Sequence, residues 1–172
     1  QSSDVVYNEK NIFLRKIILT NNDSQARNLK IFLNQQFKIG DTNHADTAYF
    51  SSTIESIIHY KGRRVFLMGG LCDNKPFDDY SVGFCGIEGK EGTWKDAEDG
   101  VLSKNSIEHC IVDSVVSWQR NIPANGSVIL YYWVAAGETY KEVCELLEYI
   151  FEKSPEHLIE STKNFWQAWI NQ

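Results

Sequence analysis

The spacing of apolar residues changes once along this chain, at Gly137, and that change fixes the order of its parts. Up to that point the side chains alternate. Residues 28–37 set Leu29, Ile31 and Leu33 on one face against Lys30, Phe32 and Asn34 on the other, and in residues 112–119 Val112, Ser114, Val116 and Trp118 alternate with Asp113, Val115, Ser117 and Gln119. A period of two is the mark of a half-buried strand, and such strands hide their apolar side only by packing one sheet against a second layer. The run NIFLRKIILT (residues 11–20) reads as another strand, followed by turn chemistry in Asn21-Asn22-Asp23-Ser24. With residues 28–37 it predicts an antiparallel hairpin. Short strands are expected at 47–50, 54–60, 64–68 and 80–84, separated by Gly62, Gly69-Gly70 and a loop at 73–79, the glycine pair serving a turn. SVILYYWVA (127–135) is apolar on both faces and is expected to be a central strand covered on both sides. The expected class is mainly β, a two-sheet antiparallel β-sandwich over residues 1–137.

After Gly137 the spacing becomes helical. Thr139 is placed to cap a helix carrying Val143, Leu146, Leu147, Ile150 and Phe151, and Ser154 to cap a second, with Pro155 at its first position. Leu158, Ile159, Thr162, Phe165, Trp166 and Trp169 form the apolar side of that second helix. Residues 138–172 are thus two C-terminal linker helices. An apolar stripe ending in two tryptophans needs a cover, supplied by the sandwich itself, by a further domain or by a second copy in a homodimer. The opening at Gln1, with Met68 the only methionine, and the ending at Trp169-Ile170-Asn171-Gln172 inside an amphipathic pattern predict an excised piece of a longer polypeptide.

Several functions are disfavoured. A net charge of −6 without a basic cluster argues against nucleic acid as a partner, and no run reaches the roughly 18–20 apolar residues that a membrane span needs. Cys72, Cys85, Cys110 and Cys144 form no CxxC pair and read as buried small hydrophobes in a reducing, cytoplasmic setting, although four cysteines leave three disulfide pairings open. The glycosylation tripeptides at Asn22 and Asn125 carry no weight without secretion. His44, His59, His109 and His157 are scattered, and no nucleophile elbow or phosphate loop is present, so no metal and no cofactor is expected.

One segment has the look of chemistry. In EGTWKDAEDG (91–100), Asp96, Glu98 and Asp99 lie beside Trp94. Two carboxylates about 5–9.5 Å apart could cleave a glycoside. The competing reading is a solvated loop bounded by Gly92 and Gly100, its acids capping backbone donors, and the spacing does not meet a calcium loop. Aromatic rings could instead stack on sugars, and Trp94, Tyr49, Phe50 and Trp118 are the candidates. Trp118, on an alternating strand, reads as core. Tyr49 and Phe50 follow the polar loop at 40–46, which ends at Asp46, and loops are where binding residues concentrate.

A set of short motifs then carries a resemblance. In order they are LRKI (14–17) to Thr20-Asn21, DTAYF (46–50), HYKG (59–62), EGTWKDAEDG (91–100), YYWVAAG (131–137) and FWQAW (165–169). The series resembles prokaryotic glycoside hydrolase family 15 proteins, which include glucoamylase-like, glucodextranase and trehalase members, over nearly the whole chain. The resemblance implies a galactose-mutarotase-like supersandwich, then linker helices, then an (α/α)6 barrel that inverts α-linked glucosides with two glutamates. That barrel would start after Gln172, so the chain itself would be non-catalytic and its partner would be the catalytic barrel of the same polypeptide, with α-linked glucosides met only through it. The sandwich of the family would also begin before Gln1, leaving an open sheet edge. On this reading Asp46, Tyr49, Phe50, Trp94, Asp96, Glu98 and Asp99 are candidates for shaping the entrance to the sugar site, and Phe165, Trp166 and Trp169 for docking on the barrel. The alternative is an independent α-glucan-binding module.

Overall fold

The structure is a computed structural model and describes every residue except Asp41, Asn43, His44 and Gln172. Those three positions of the expected 40–46 loop therefore lie outside the described residues. In chain order the elements are β1 (Ser2–Val6), β2 (Ile12–Thr20), β3 (Arg27–Gln36), β4 (Asp46–Ser51), β5 (Ser56–Lys61), β6 (Arg64–Cys72), β7 (Asp79–Ile87), β8 (Lys90–Glu91), α1 (Thr93–Asp96), β9 (Ile107–Cys110), β10 (Val112–Ile122), β11 (Ser127–Gly137), α2 (Tyr140–Lys153) and α3 (Pro155–Ile170), with a 3-10 turn, Ala97–Asp99, after α1. The strands form a seven-stranded sheet, β1-β2-β11-β6-β5-β4-β9, and a four-stranded sheet, β3-β10-β7-β8, with antiparallel pairing throughout. The expected two-sheet sandwich followed by two helices is what forms.

Three layers result. Between the sheets lie Met68, Val82, Val116, Trp118, Val128, Leu130 and Tyr132, and between the larger sheet and the helices lie Leu14, Leu67, Trp133, Val143, Leu147, Ile150 and Leu158. Strand β11 sends Leu130 and Tyr132 to the first core and Trp133 and Ala135 to the second, which is why its sequence is apolar on both faces. The helix caps are those the sequence predicts. Thr139 Oγ1 accepts the Glu142 N–H at 3.2 Å and Ser154 Oγ accepts the His157 N–H at 3.3 Å. Glu156 then anchors α3 to the sheet, accepting from Lys16 Nζ at 2.7 Å and from the Tyr131 hydroxyl at 2.5 Å.

The expected hairpin does not form. Strand β2 pairs with β1 and β11, whereas β3 crosses to the other sheet and pairs with β10. Asn21 makes the corner: its side-chain amide donates to the carbonyls of Gln25, Ile122 and Pro123 at 2.8, 3.2 and 3.0 Å, tying the link to the turn after β10. Alternation is the same whether two strands lie side by side or face each other across a core, so the pattern could not separate the two.

The glycine pair is a second correction. Gly69 and Gly70 lie inside β6, not in a turn. They point to opposite faces, and each makes room for a tryptophan. A Cβ on Gly69 would stand 2.8 Å from Trp133 Nε1, and one on Gly70 would stand 2.6 Å from the Tyr131 carbonyl oxygen and 2.9 Å from Trp118 Cζ2. Ring bulk on β10 and β11 thus dictates the absence of side chains on β6. Strand β5 also begins later than expected, at Ser56, because Glu55 adopts a positive φ of 45° that ends the preceding turn.

A polar chain crosses the inter-sheet core. Ser114 Oγ donates to Gln35 Oε1 at 3.0 Å, so the 2.8 Å contact to His59 Nε2 is completed by an imidazole N–H donating to Ser114. His59 is buried, with Phe37 edge-on at 5.3 Å, and burial pushes its pKa down from 6.5 to about 3. It is a neutral core histidine.

Candidate functional site

Three places hold the residues that the sequence singles out. The first is EGTWKDAEDG. It is not a simple loop, because Thr93–Asp96 winds one helical turn and Ala97–Asp99 one 3-10 turn, closed by Gly100 at a φ of 85°. A four-residue helix is too short to show a period, so nothing in the spacing revealed it. The segment is clamped onto the outer face of the smaller sheet by Asp113. One of its carboxylate oxygens accepts the Thr93 N–H at 2.7 Å, the Thr93 hydroxyl at 3.0 Å and the Asn34 side-chain amide at 3.1 Å. Gly92 must be bare there, since a Cβ would stand 2.8 Å from that same oxygen. Burial pushes the Asp113 carboxyl above its ordinary pKa, against the pull of the hydrogen bonds from Asn34 and Thr93. Lys30 adds a second tie, donating to the Gly100 carbonyl at 2.6 Å.

The three candidate acids of the segment, Asp96, Glu98 and Asp99, are each engaged locally. Asp96 accepts the Ser103 N–H and hydroxyl at 2.9 and 3.0 Å, Asp99 accepts the Val101 N–H at 2.8 Å, and Glu98 pairs with Lys95 at 2.7 Å. They hold the turn in shape rather than facing one another across a cleft. Trp94 is 47% exposed, its indole N–H donating to the Glu91 carbonyl at 2.9 Å and Lys95 lying 5.5 Å from its ring. Beside it opens a polar cleft of about 510 Å³, edged by Thr93, Lys95, Asp96, Ser103, Asn105 and Glu108.

The second place is β4. Asp46 is buried, accepts the Ile39 N–H at 3.4 Å and pairs with Lys61 at 3.0 Å across to β5. Tyr49 and Phe50 part company, because neighbours on a strand point to opposite faces. Phe50 goes between the sheets and stacks on Tyr80 at 3.8 Å, with Phe77 at 5.9 Å. Tyr49 goes to the outer face, its ring 6.2 Å from that of Tyr60. Trp118 is wholly buried, as its strand predicts.

The third place is the end of α3. Leu158, Thr162, Phe165, Trp166 and Trp169 lie on one helical face, three or four residues apart. The first two are buried on the sheet, while Trp166 and Trp169 are 48% and 62% exposed, their rings 5.9 Å apart and perpendicular. The helix overhangs the sandwich.

Asp113 and Asn34, which position the first place, were not singled out by the sequence. A usable signal existed: an acid inside Val112-Asp113-Ser114-Val115-Val116 contradicts its apolar surroundings unless something binds it. Among the described residues no three His, Cys, Asp or Glu side chains gather as metal ligands would, the four thiols are unbridged, and no helix is long and apolar enough to cross a membrane.

Comparison with known proteins bears on the fold. No family model matches the chain. It is 22% identical over 173 residues to an uncharacterized glycosyl hydrolase of Methanocaldococcus jannaschii, covering 98% of this chain and 27% of that protein. Its structure superimposes on part of a bacterial glucoamylase solved with acarbose, with a TM-score of 0.63, 10% identity, and 93% of this chain covering 25% of that one. The chain therefore spans about a quarter of the length of each. Both matches agree with the resemblance read from the motifs, and the fold is that of a glucoamylase-like β-sandwich domain.

Proposed function

We propose that this chain is the accessory sandwich of a sugar-cleaving protein, a scaffold that holds an (α/α)6 barrel hydrolysing α-glucosidic bonds and takes no part in bond cleavage itself. The observation that carries the reading is the single face of α3 that begins buried on the sheet and ends as bare aromatic surface. A stripe of Phe165, Trp166, Trp169 and Ile170 is an interface in waiting, since aromatic rings of this kind dominate the buried centre of protein contacts. Asp96, Glu98 and Asp99, each bound up in its own turn, fit a structural segment better than an acid–base pair. Trp94 and the polar cleft beside it fit a loop that reaches towards the barrel and edges its sugar entrance. Four unbridged thiols support a cytoplasmic, reducing location.

The test is a chimera in which this chain replaces the corresponding quarter of the Methanocaldococcus relative. The chimera is expected to be soluble and to unfold in one transition, and the pair Trp166→Ser with Trp169→Ser to split that transition or lower its midpoint while leaving the isolated chain unchanged. Identical melting of chimera and variant refutes the docking role. If the isolated chain instead sediments as a dimer that the same pair dissociates, the stripe is an interface between copies.

A further inference from the structure

The helices cover only part of the outer face of the larger sheet. Helix α2 packs chiefly on β11 and β6, and α3 reaches β1, so that the β5-β4-β9 end is bordered by α2 only along one side, where Tyr140 meets Ser51. That end carries a cleft of about 460 Å³, lined by Tyr49, Ile58, Tyr60, Val65, Ile107 and, from the first turn of α2, Tyr140. The volume lies in the range of small-molecule sites, roughly 300–1,000 Å³.

Its make-up is specific. Ile58 and Val65 are its buried apolar members, and the Tyr49 and Tyr60 rings beside them meet at 82°. Tyr60, Ile107 and Tyr140 are exposed, and the Tyr140 hydroxyl lies 3.4 Å from Ser51 Oγ. The Tyr49 phenol, its pKa raised by burial and by the neighbouring Tyr140 and Tyr60, is neutral and so both donates and accepts. At the rim Glu138 is paired with Arg63, so the charge there is balanced. A purely apolar guest would strip water from the phenol hydroxyls without replacing its hydrogen bonds, and the Glu138–Arg63 pair at the rim offers a charged guest no net opposite charge.

The geometry points to a binding site for a neutral pyranoside, one C–H face of the sugar lying on Tyr60 and Tyr140 and its hydroxyl edge turned to Tyr49 and the rim. A pyranose has just this division, with an apolar face and a ring of hydroxyls, and tyrosine supplies both partners at small entropic cost. The choice of a sugar among neutral amphipathic rings rests on the sugar-hydrolase reading above; the cleft does not. The site is separate from the Trp94 cleft and from the α3 stripe, so the chain would hold saccharide at a point that no cleavage chemistry requires.

The test is an amide NMR titration of the whole 172-residue chain with maltotriose, with cellobiose and with p-cresol as an apolar probe. Saturable shifts confined to Tyr49, residues 58–62, Ile107 and residues 138–140, at a Kd on the order of 1 mM, are expected with at least one of the sugars. Tyr60→Ala and Tyr140→Ala, both at exposed positions, are each expected to weaken that binding about tenfold while the melting temperature stays put; Trp94→Ala leaves it unchanged. Absence of shifts in this region, or shifts indifferent to both tyrosine variants, overturns the assignment. Shifts with p-cresol alone overturn the sugar and mark the cleft as an apolar seat. A null result with a working chimera leaves the scaffold role intact, and sugar binding with a failed chimera makes the chain an independent module.

Discussion

Lowering the pH should destabilise this domain through one buried imidazole. His59 is neutral in the fold, with its pKa pushed down from 6.5 to about 3 by burial between the sheets. Once unfolded it regains the ordinary value, so between those two values the unfolded state binds a proton that the folded state does not. The stability that His59 contributes is complete above 6.5 and is lost as the pH falls towards 3, with a limiting slope of about 1.4 kcal/mol per pH unit. Integrated from about pH 7.5 to about pH 4.5, the loss from this group is about 2.5 kcal/mol, which for a chain of this size lowers the melting temperature by roughly 5–10 °C. Asp113 opposes the effect, because its raised pKa makes the folded state the better proton binder above 3.8, but it does so alike in the native chain and in a His59 variant, so the difference between them isolates the imidazole. The assay is urea unfolding across that window for the native chain and for His59→Gln, whose amide can still donate to Ser114. The difference between the two stabilities should shrink by about 2.5 kcal/mol on acidification, since the glutamine does not titrate. A difference that stays flat would falsify the buried, neutral histidine.

Gly70→Ala should cost about 3 kcal/mol, because the new methyl would stand 2.6 Å from a backbone oxygen that only a strand shift can move; a melting temperature within about 1 °C of the native chain would contradict this. Asp113→Ala leaves the Thr93 N–H, the Thr93 hydroxyl and the Asn34 amide without their common acceptor and should cost about 2–3 kcal/mol, with limited proteolysis appearing first at residues 92–104. Glu98→Gln removes only an exposed pair with Lys95, so its denaturation midpoint should match that of the native chain. Arg120→Lys should cost about 2 kcal/mol in urea unfolding, because the buried guanidinium donates to Asp78 and to the carbonyls of Cys72, Lys75 and Pro76, a fan that an ammonium cannot reproduce.

Much of the fold was legible because strands and helices advertise different periods. The two helix starts were legible to the residue, since Thr139 and Ser154 offer side-chain oxygens to backbone donors four residues or fewer away. Strands β1, β8 and β9 were missed. Each is short and at a sheet edge, with β1 and β8 mostly exposed, so none needs the apolar alternation that would announce it. Trp118 was legible as core because its strand alternates around it. The candidate sites were legible only as residue types: Tyr49 and Phe50 look equivalent in sequence, yet one strand pleat sends Tyr49 to an open face and Phe50 into an aromatic stack. Tyr60, Ile107 and Tyr140 come from three elements, and nothing local marks them as neighbours of Tyr49.

What the sequence alone determined is therefore whatever depends on near neighbours along the chain: a β body, a change to helix after Gly137, the caps, and a strand apolar on both faces that had to be central. What the tertiary structure alone decided is whatever depends on which strand lies across from which. It put β2 and β3 in different sheets, gave Gly69 and Gly70 a tryptophan each to accommodate, set Asp113 beneath the Thr93 turn, and gathered Tyr49, Tyr60 and Tyr140 around one cleft. The physical reason is that period and capping are local energies, whereas pairing and coverage follow from how the whole set of apolar faces can be buried at once, and equal alternation is compatible with many such arrangements.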